Sequence, residues 1–300
     1  MRTLLATAML ITALPLPAAE MDEVVIATVP VADGIYMLSG RGGNIGVSVG
    51  ADGVFLIDDQ YAPLTAKIRA ALALLSDQPV RFVLNTHWHG DHTGGNENLG
   101  KQGALIVAAD KVRVRLAAGG FMEAFKREVP PAPADALPVV TFDGAVTFHI
   151  NDQVIQAINL PPAHTDGDSI VLFRGSKVVH LGDLYFNGSY PVIDYGSGGH
   201  IDGMIAALDH VLPLLDDQTK VIPGHGPLSN KAELKAYRDM LSIVAPRFKK
   251  AIKAGKSLEQ VKAMKLTSEF DAKWGQGFMK PEPWTEQVYA GLVRQLGARR

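Results

Sequence analysis

Four short segments set the strongest limits on what this chain can become. His87-Trp88-His89-Gly90-Asp91-His92 follows directly on the apolar, β-branched run at residues 81–85. Leu160-Pro161-Pro162-Ala163-His164, Gly182-Asp183 and Pro223-Gly224-His225-Gly226 each come straight after a further apolar run that reads as a strand. Every one of them sets a metal-competent side chain just beyond the carboxyl end of a strand, where ligand sites gather in α/β folds. Glycine or proline beside each candidate makes the turn sharp and fixes the direction of the side chain. In an extended segment alternate residues share a face, so His87 and His89 can grip one ion together. As the chain turns toward a helix, Asp91 and His92 can reach a second ion beside it.

Taken singly, the other three segments are weaker signals. His164 or His225 alone reads equally well as a buried, hydrogen-bonded histidine, and Asp183 alone as a turn residue after Gly182. Their order and shared setting raise them to ligand candidates. The chain has nine histidines, and four lack that setting: His149 and His180 read as sheet residues, His210 as a helix-face residue, and His200 as undecided. There is no cysteine, so thiolates are excluded both as ligands and as nucleophiles. Any metal site must be built from His, Asp and Glu.

Short apolar runs at 24–29, 35–38, 44–49 and 54–58, punctuated by Asp33-Gly34, Gly42-Gly43 and Asp52-Gly53, predict antiparallel strands. Residues 64–75 have helical spacing with Lys67 and Arg69 outward. Strands follow at 81–85 and 105–108, then a helix over about 110–118 and an irregular loop at 130–138, which has four prolines. A second strand-rich set lies at 146–150, 154–160, 169–173 and 177–181, with a helix over 201–215 and a strand at 220–222. Residues 231–300 are helical in pattern, with breaks near Gly255 and at 275–283. Two strand-rich halves that each finish in helices fit two packed sheets with helices outside, an α/β arrangement read as one domain over 20–300 with 231–300 as a helical extension.

Residues 1–19 have a basic start at Arg2, an uncharged apolar stretch at 3–14, then Pro15 and small residues. That pattern is a secretory signal peptide, too short in its apolar part for a permanent anchor, and it places the mature protein in the periplasm. No later segment looks transmembrane. Charge is nearly balanced, with 29 Lys and Arg against 31 Asp and Glu, and no run of like charge suggests a nucleic-acid surface. Lys111, Arg113 and Arg115, the densest basic patch, read as a solvated helix face. The partner expected is a small-molecule substrate.

The series His87-Trp88-His89-Gly90-Asp91-His92, His164, Gly182-Asp183 and Pro223-Gly224-His225-Gly226-Pro227 resembles the metallo-β-lactamase superfamily, over roughly residues 24–228. The resemblance implies a four-layer αββα sandwich with a dinuclear metal site at one edge. By that likeness His87, His89 and His164 hold one ion, Asp91, His92 and His225 hold the other, and Asp183 bridges them. Asp58 looks like the family's buried aspartate that supports the site from behind. Two zinc ions per chain are implied, although a carboxylate at 183 is a hard ligand and leaves iron or manganese open. Two ions about 3.5 to 4 Å apart lower the pKa of a shared water, and the hydroxide attacks a carbonyl or phosphoryl centre. Asp91 is the candidate catalytic residue, orienting the nucleophile and shuttling its proton.

The same superfamily holds β-lactamases, thioester hydrolases such as glyoxalase II, lactonases, nucleases and iron-dependent oxygenases, and fold alone does not choose among them. An exported chain of this length favours a β-lactamase-like hydrolase of cyclic amides or esters. Zinc β-lactamases of the first subclass have Cys where this chain has Asp183, and a Lys three residues later for the substrate carboxylate. Here that later position is Phe186, and no Lys or Arg occurs between Lys177 and Lys220. Asp183 resembles the glyoxalase II pattern instead. Lys249, Lys250, Lys253 and Lys256 are either a replacement anion site or a solvated helix face. Trp88, Tyr185, Phe186, Tyr190 and Tyr195 either line a cleft beside the ions or belong to the core.

Overall fold

The computed structural model describes residues 21–123 and 126–297; the signal peptide read at 1–19 lies outside the described residues. Among them, strands β1 Ala27–Ala32, β2 Ile35–Ser39, β3 Ile45–Gly50 and β4 Gly53–Ile57 form an antiparallel meander. Gly34 and Gly53, at φ 64° and 122°, make two of its turns in a conformation that side chains disfavour. β1 begins later than the apolar run at 24–29. The segment before it is tied instead by Lys67, whose ammonium donates to the carbonyls of Met21 (3.1 Å) and Val24 (2.8 Å). Lys67 therefore does not simply face solvent.

Helix α1 Thr65–Ala73 leads into β5 Val80–Asn85, which joins β4 in parallel. Two short helices, α2 Gly90–Thr93 and α3 Asn96–Gly100, precede β6 Leu105–Ala109, again parallel, and α4 Asp110–Ala118 follows. A separate hairpin, β7 Gly120–Met122 with β8 Arg127–Val129, intervenes before β9 Val140–Phe142 closes the first sheet in the order β1-β2-β3-β4-β5-β6-β9. The second sheet runs β10 Ala145–Ile150, β11 Gln153–Asn159, β12 Ser169–Phe173, β13 Val178–His180, β14 Lys220–Ile222 and β15 Ser229–Asn230, in that spatial order. Its neighbours are antiparallel except β13 and β14, which are parallel and joined through helix α5 Ile201–Val211. Four more helices complete the chain: α6 Lys231–Lys253, α7 Leu258–Ala263, α8 Asp271–Trp274 and α9 Pro281–Gly297.

Alternation along the strands makes the layers. In β4, Val54 and Leu56 face out against Ile68 and Leu72 of α1, while Phe55 and Ile57 face in. In β12, Val171 and Phe173 face in, while Ile170 and Leu172 face out against α5 and α6. The inner faces meet, with Phe55 against Phe148 at 4.9 Å between ring centroids. This is an αββα sandwich, the layering the sequence implied. Such strands are apolar on both sides because both sides are covered. Burial carries the stability: each enclosed large apolar side chain contributes about 1.5–3 kcal/mol, whereas an exposed pair such as Lys235–Asp239 contributes about 0–1 kcal/mol.

The C-terminal helices break where glycine and proline predicted, at Gly255 and before α9, which starts on Pro281. They pack on the second sheet's outer face: Trp284 is fully buried and stacks on Tyr190 at 4.4 Å. Lys249 pairs with Asp202, and Lys250, Lys253 and Lys256 are exposed on this outer layer, the solvated-face alternative. In the patch on α4, Lys111 and Arg113 are exposed as expected and Arg115 departs. Arg115 grips Asp166 in bidentate fashion at 2.6 and 2.9 Å and lies over Trp88, so it fastens α4 to the His164 loop rather than facing water. No helix among the described residues is long and apolar enough to cross a membrane.

Candidate metal centre

The loops after β5, β11, β13 and β14 open at one edge of the sandwich, and all seven candidates from the sequence meet there. One ligand atom each of His87, His89, His164 and Asp183 lies within 4.8 Å of the others, and the same holds for Asp91, His92 and His225. Asp183 spans the two groups. Its Oδ2 is 3.4 Å from His164 Nε2 and 3.7 Å from His87 Nε2, while its Oδ1 is 3.1 Å from His92 Nε2 and 3.3 Å from His225 Nε2. Asp91 Oδ2 stands at the open side, 3.4 Å from His225 Nε2 and 3.7 Å from His92 Nε2.

The surrounding groups decide which nitrogen of each ring is available. His164 Nδ1 donates to the Val192 carbonyl at 2.8 Å, which leaves Nε2 as a lone pair. His89 Nε2 donates to Asp194 Oδ2 at 3.0 Å, which leaves Nδ1 as a lone pair. Those two lone pairs face each other at 3.0 Å. Two acceptors so placed repel unless a cation lies between or beside them, so the donor set fits a metal ion on an observation independent of motif. Thr86 Oγ1 donates to Asp58 Oδ2 (2.8 Å) and accepts from His87 Nδ1 (3.0 Å), so His87 Nε2 is also a lone pair, buried without a hydrogen-bond partner. His92 Nδ1 meets Asp58 Oδ2 at 2.7 Å and aims Nε2 inward. Asp58, at φ 65°, also takes the Thr86 N–H on Oδ1 at 2.7 Å, so one buried carboxylate orients two rings.

Electrostatics divide the rings in two. Burial pushes the His87 imidazole well below its ordinary range and His164 down to about 4, so both are neutral donors at neutral pH. Burial acts on His92 and His225 the same way, but the carboxylates of Asp183 and Asp91 outweigh it, helped at His92 by Asp58. They hold His92 well above its usual value and His225 up to about 9. Burial likewise opposes ionisation of Asp91 and Asp183, yet His92 and His225 overcome it and hold both well below the usual carboxylate range. The second group thus carries protons that a cation would replace.

Several supporting residues were not singled out in the sequence. Asp194 holds His89. Asp168 closes the 164–168 loop by accepting from the N–H of His164 (2.7 Å) and of Thr165 (2.9 Å), while burial raises its carboxyl to about 7. Asn44 donates to the carbonyls of Pro223 (3.0 Å) and Gly226 (2.8 Å), bracketing His225. His180, read as a sheet residue, joins this set: its Nε2 meets Asn44 O at 3.0 Å and its Nδ1 accepts from Gly182 N at 3.1 Å. An aspartate four residues after His164, past a glycine, was the one local signal for Asp168. His149 and His210 are exposed, and His200 caps α5 by accepting from Gly203 N. Trp88, Tyr185 and Tyr190 are core rather than cleft, and Phe186 is buried with its ring stacked on His225 at 5.1 Å.

A sequence profile of the metallo-beta-lactamase superfamily matches residues 38–228. The chain belongs to the metallo-beta-lactamase superfamily. Solved members share the layout at low identity. A metallo-beta-lactamase from Pontibacter korlensis is 21% identical, aligns over 72% of this chain and 99% of its own, and has a TM-score of 0.60. The DIM-1 metallo-beta-lactamase is 20% identical over 73% of this chain and 99% of its own, with a TM-score of 0.59. These likenesses speak to fold. No curated protein sequence matches the chain. The superfamily match together with the His and Asp cluster supports a metal-dependent hydrolase in the general sense.

Proposed function

We propose that this metallo-beta-lactamase superfamily member is an exported, periplasmic enzyme that holds two zinc ions and hydrolyses cyclic amides or esters of the β-lactam kind. His87, His89 and His164 would hold one ion, and Asp91, His92 and His225 the other, with Asp183 giving one oxygen to each. The observation that carries the dinuclear reading is Asp183, whose Oδ2 faces His87 and His164 while its Oδ1 faces His92 and His225. Bound there, the ions would supply Lewis acidity and make water a nucleophile near neutral pH.

The residues supply the rest. Asp91 is the most exposed carboxylate of the centre, with 23% of its side chain open, against 4% for Asp183. It is ionised, so it can take the proton of the attacking water and pass it to the leaving nitrogen or oxygen as the acyl C–N or C–O bond breaks. Asp58, Thr86, Asp194 and Val192 O keep the rings in the tautomers that present lone pairs. Asp183, a carboxylate rather than a thiolate, favours a second reading as a thioester hydrolase of the glyoxalase II kind.

Elemental analysis together with a screen of β-lactam, lactone, thioester and phosphodiester substrates tests the proposal. The expected outcome is two zinc ions per chain and turnover of cyclic amides or esters. Dominant thioester turnover would favour the second reading. Tightly held iron with no hydrolase activity would favour oxygenase chemistry, and a folded protein with only trace metal would refute the centre altogether.

A further inference from the structure

Helix α9 lies beyond residues 38–228, the span shared with the superfamily, yet one of its faces meets the chain behind the metal centre. Trp284, Gln287 and Gly291, three and then four residues apart, point to one side of the helix. They touch the stretch from Tyr190 to Tyr195 in the same order. The Trp284 ring stacks on Tyr190. Gln287 Oε1 accepts from the Ile193 N–H at 3.0 Å. A Cβ on Gly291 would lie 2.1 Å from Cε1 and Cζ of Tyr195, so the helix backbone rests directly on that ring. Glycine weakens a helix interior, and this contact accounts for one here.

The bond to Ile193 falls between the two groups that steer the first trio. On one side the Val192 carbonyl accepts from His164 Nδ1 at 2.8 Å, and on the other the Asp194 carboxylate accepts from His89 Nε2 at 3.0 Å. The Asp194 N–H donates in turn to the His164 carbonyl at 2.9 Å. Residues 192–194 belong to no strand, so no ladder sets where they lie. Ile193 is buried, and a buried N–H needs an acceptor. Gln287 brings one from another element. We infer that Gln287 is a positioning residue of the metal centre: α9 fixes residues 192–194 through it, and so fixes the directions of the His89 and His164 rings. The consequence for an ion rests on the dinuclear reading above. Gln287 touches neither ring, so its influence passes wholly through the two ring hydrogen bonds.

The test uses the full chain, metal-free and zinc-loaded. Gln287→Met keeps the side chain's length and removes its acceptor, while Gln287→Glu keeps an acceptor. Glu286→Ala, at the adjacent exposed position where the carboxylate pairs with Lys262, is the control. Heteronuclear NMR follows solvent exchange of the His89 and His164 ring N–H protons. That exchange should be about two- to tenfold faster in Gln287→Met, the scale of one neutral hydrogen bond. The zinc constant for the trio His87, His89 and His164 should fall by a similar factor, while the other stays within about twofold. Gln287→Glu should restore both readouts, and Glu286→Ala should move neither. A role confined to general stability would lower both zinc constants together or leave ring exchange unmoved, and either result would overturn the inference. Faster ring exchange in Gln287→Met, in a chain whose wild type takes up no zinc, would sink the dinuclear reading alone. Two tightly held zinc ions in wild type and Gln287→Met alike, with exchange unchanged, would sink this inference alone.

Discussion

Asp194→Ala separates outer support from coordination, because the Asp194 carboxylate is not among the seven candidate ligands. It is buried and takes the His89 Nε2 proton at 3.0 Å and the Ser197 N–H at 3.1 Å. Hydrogen bonding to His89 outweighs burial and keeps its carboxyl at about 2, so the support persists across the working pH range. Without it, the His89 ring is free to turn and to place its proton on Nδ1, the atom 3.0 Å from His164 Nε2. Loss of such a partner costs about 10- to 100-fold in metal affinity, or about 1.4–2.8 kcal/mol at 1.4 kcal/mol per decade. Competition against a chromogenic chelator resolves two stepwise zinc constants, with circular dichroism confirming the fold. The constant for the trio His87, His89 and His164 should fall by that amount and the other by less than threefold. Equal losses at both sites would mean general loosening, and an unchanged first constant would refute the tautomer argument.

Metal affinity should respond to pH more steeply at one site than at the other. His225, held up to about 9, and His92, held well above its usual value, must lose protons to bind, so the second constant should rise about tenfold per pH unit for each proton displaced, with the share due to His225 levelling off above about pH 9. His164, at about 4, and His87, held well below its usual value, have no proton to lose at neutral pH, so the first constant should rise less steeply with pH than the second; parallel slopes in zinc titrations would contradict this. Phe186→Lys should not convert the site to carboxylate capture. The ring is buried and stacked on His225, so an ammonium there should weaken the second ion, and a fully loaded variant with a lower KM for penicillin would show otherwise.

All seven ligand candidates were legible because metal chemistry restricts residue type and the loop context restricts position. The longer strands were legible from apolar runs between glycine turns, whereas the two- and three-residue strands β7, β8, β9 and β15 were not, being too short to show an alternation. What stayed hidden depends on tertiary direction. Nothing local to Asp194 relates it to His89, which lies far away in sequence, and Asn44 reads as an ordinary turn residue until its amide is found bracketing His225. Arg115 and Lys67 sit at outward helical positions, and only packing shows that one grips Asp166 and the other the carbonyls before β1. Aromatic residues near a motif are ambiguous for the same reason: whether Tyr190 faces a cleft or Trp284 is settled by where the C-terminal helix docks.

The ligand set is divided between the sheets. His87, His89, Asp91 and His92 extend from β5 of the first, while His164, Asp183 and His225 extend from β11, β13 and β14 of the second. The spacing of the two sheets, about 10 Å in packed sheets generally, is therefore also the calibration of the centre. Coordination distances tolerate only about 0.2 Å, so the packed rings of Phe55, Phe82 and Phe148, which help to hold the sheets apart, would bear on an ion they do not touch. The relation runs in both directions. In a chain that has no cysteine to cross-link its halves, ions seated at that edge would act as rivets, resisting any sliding of one sheet over the other.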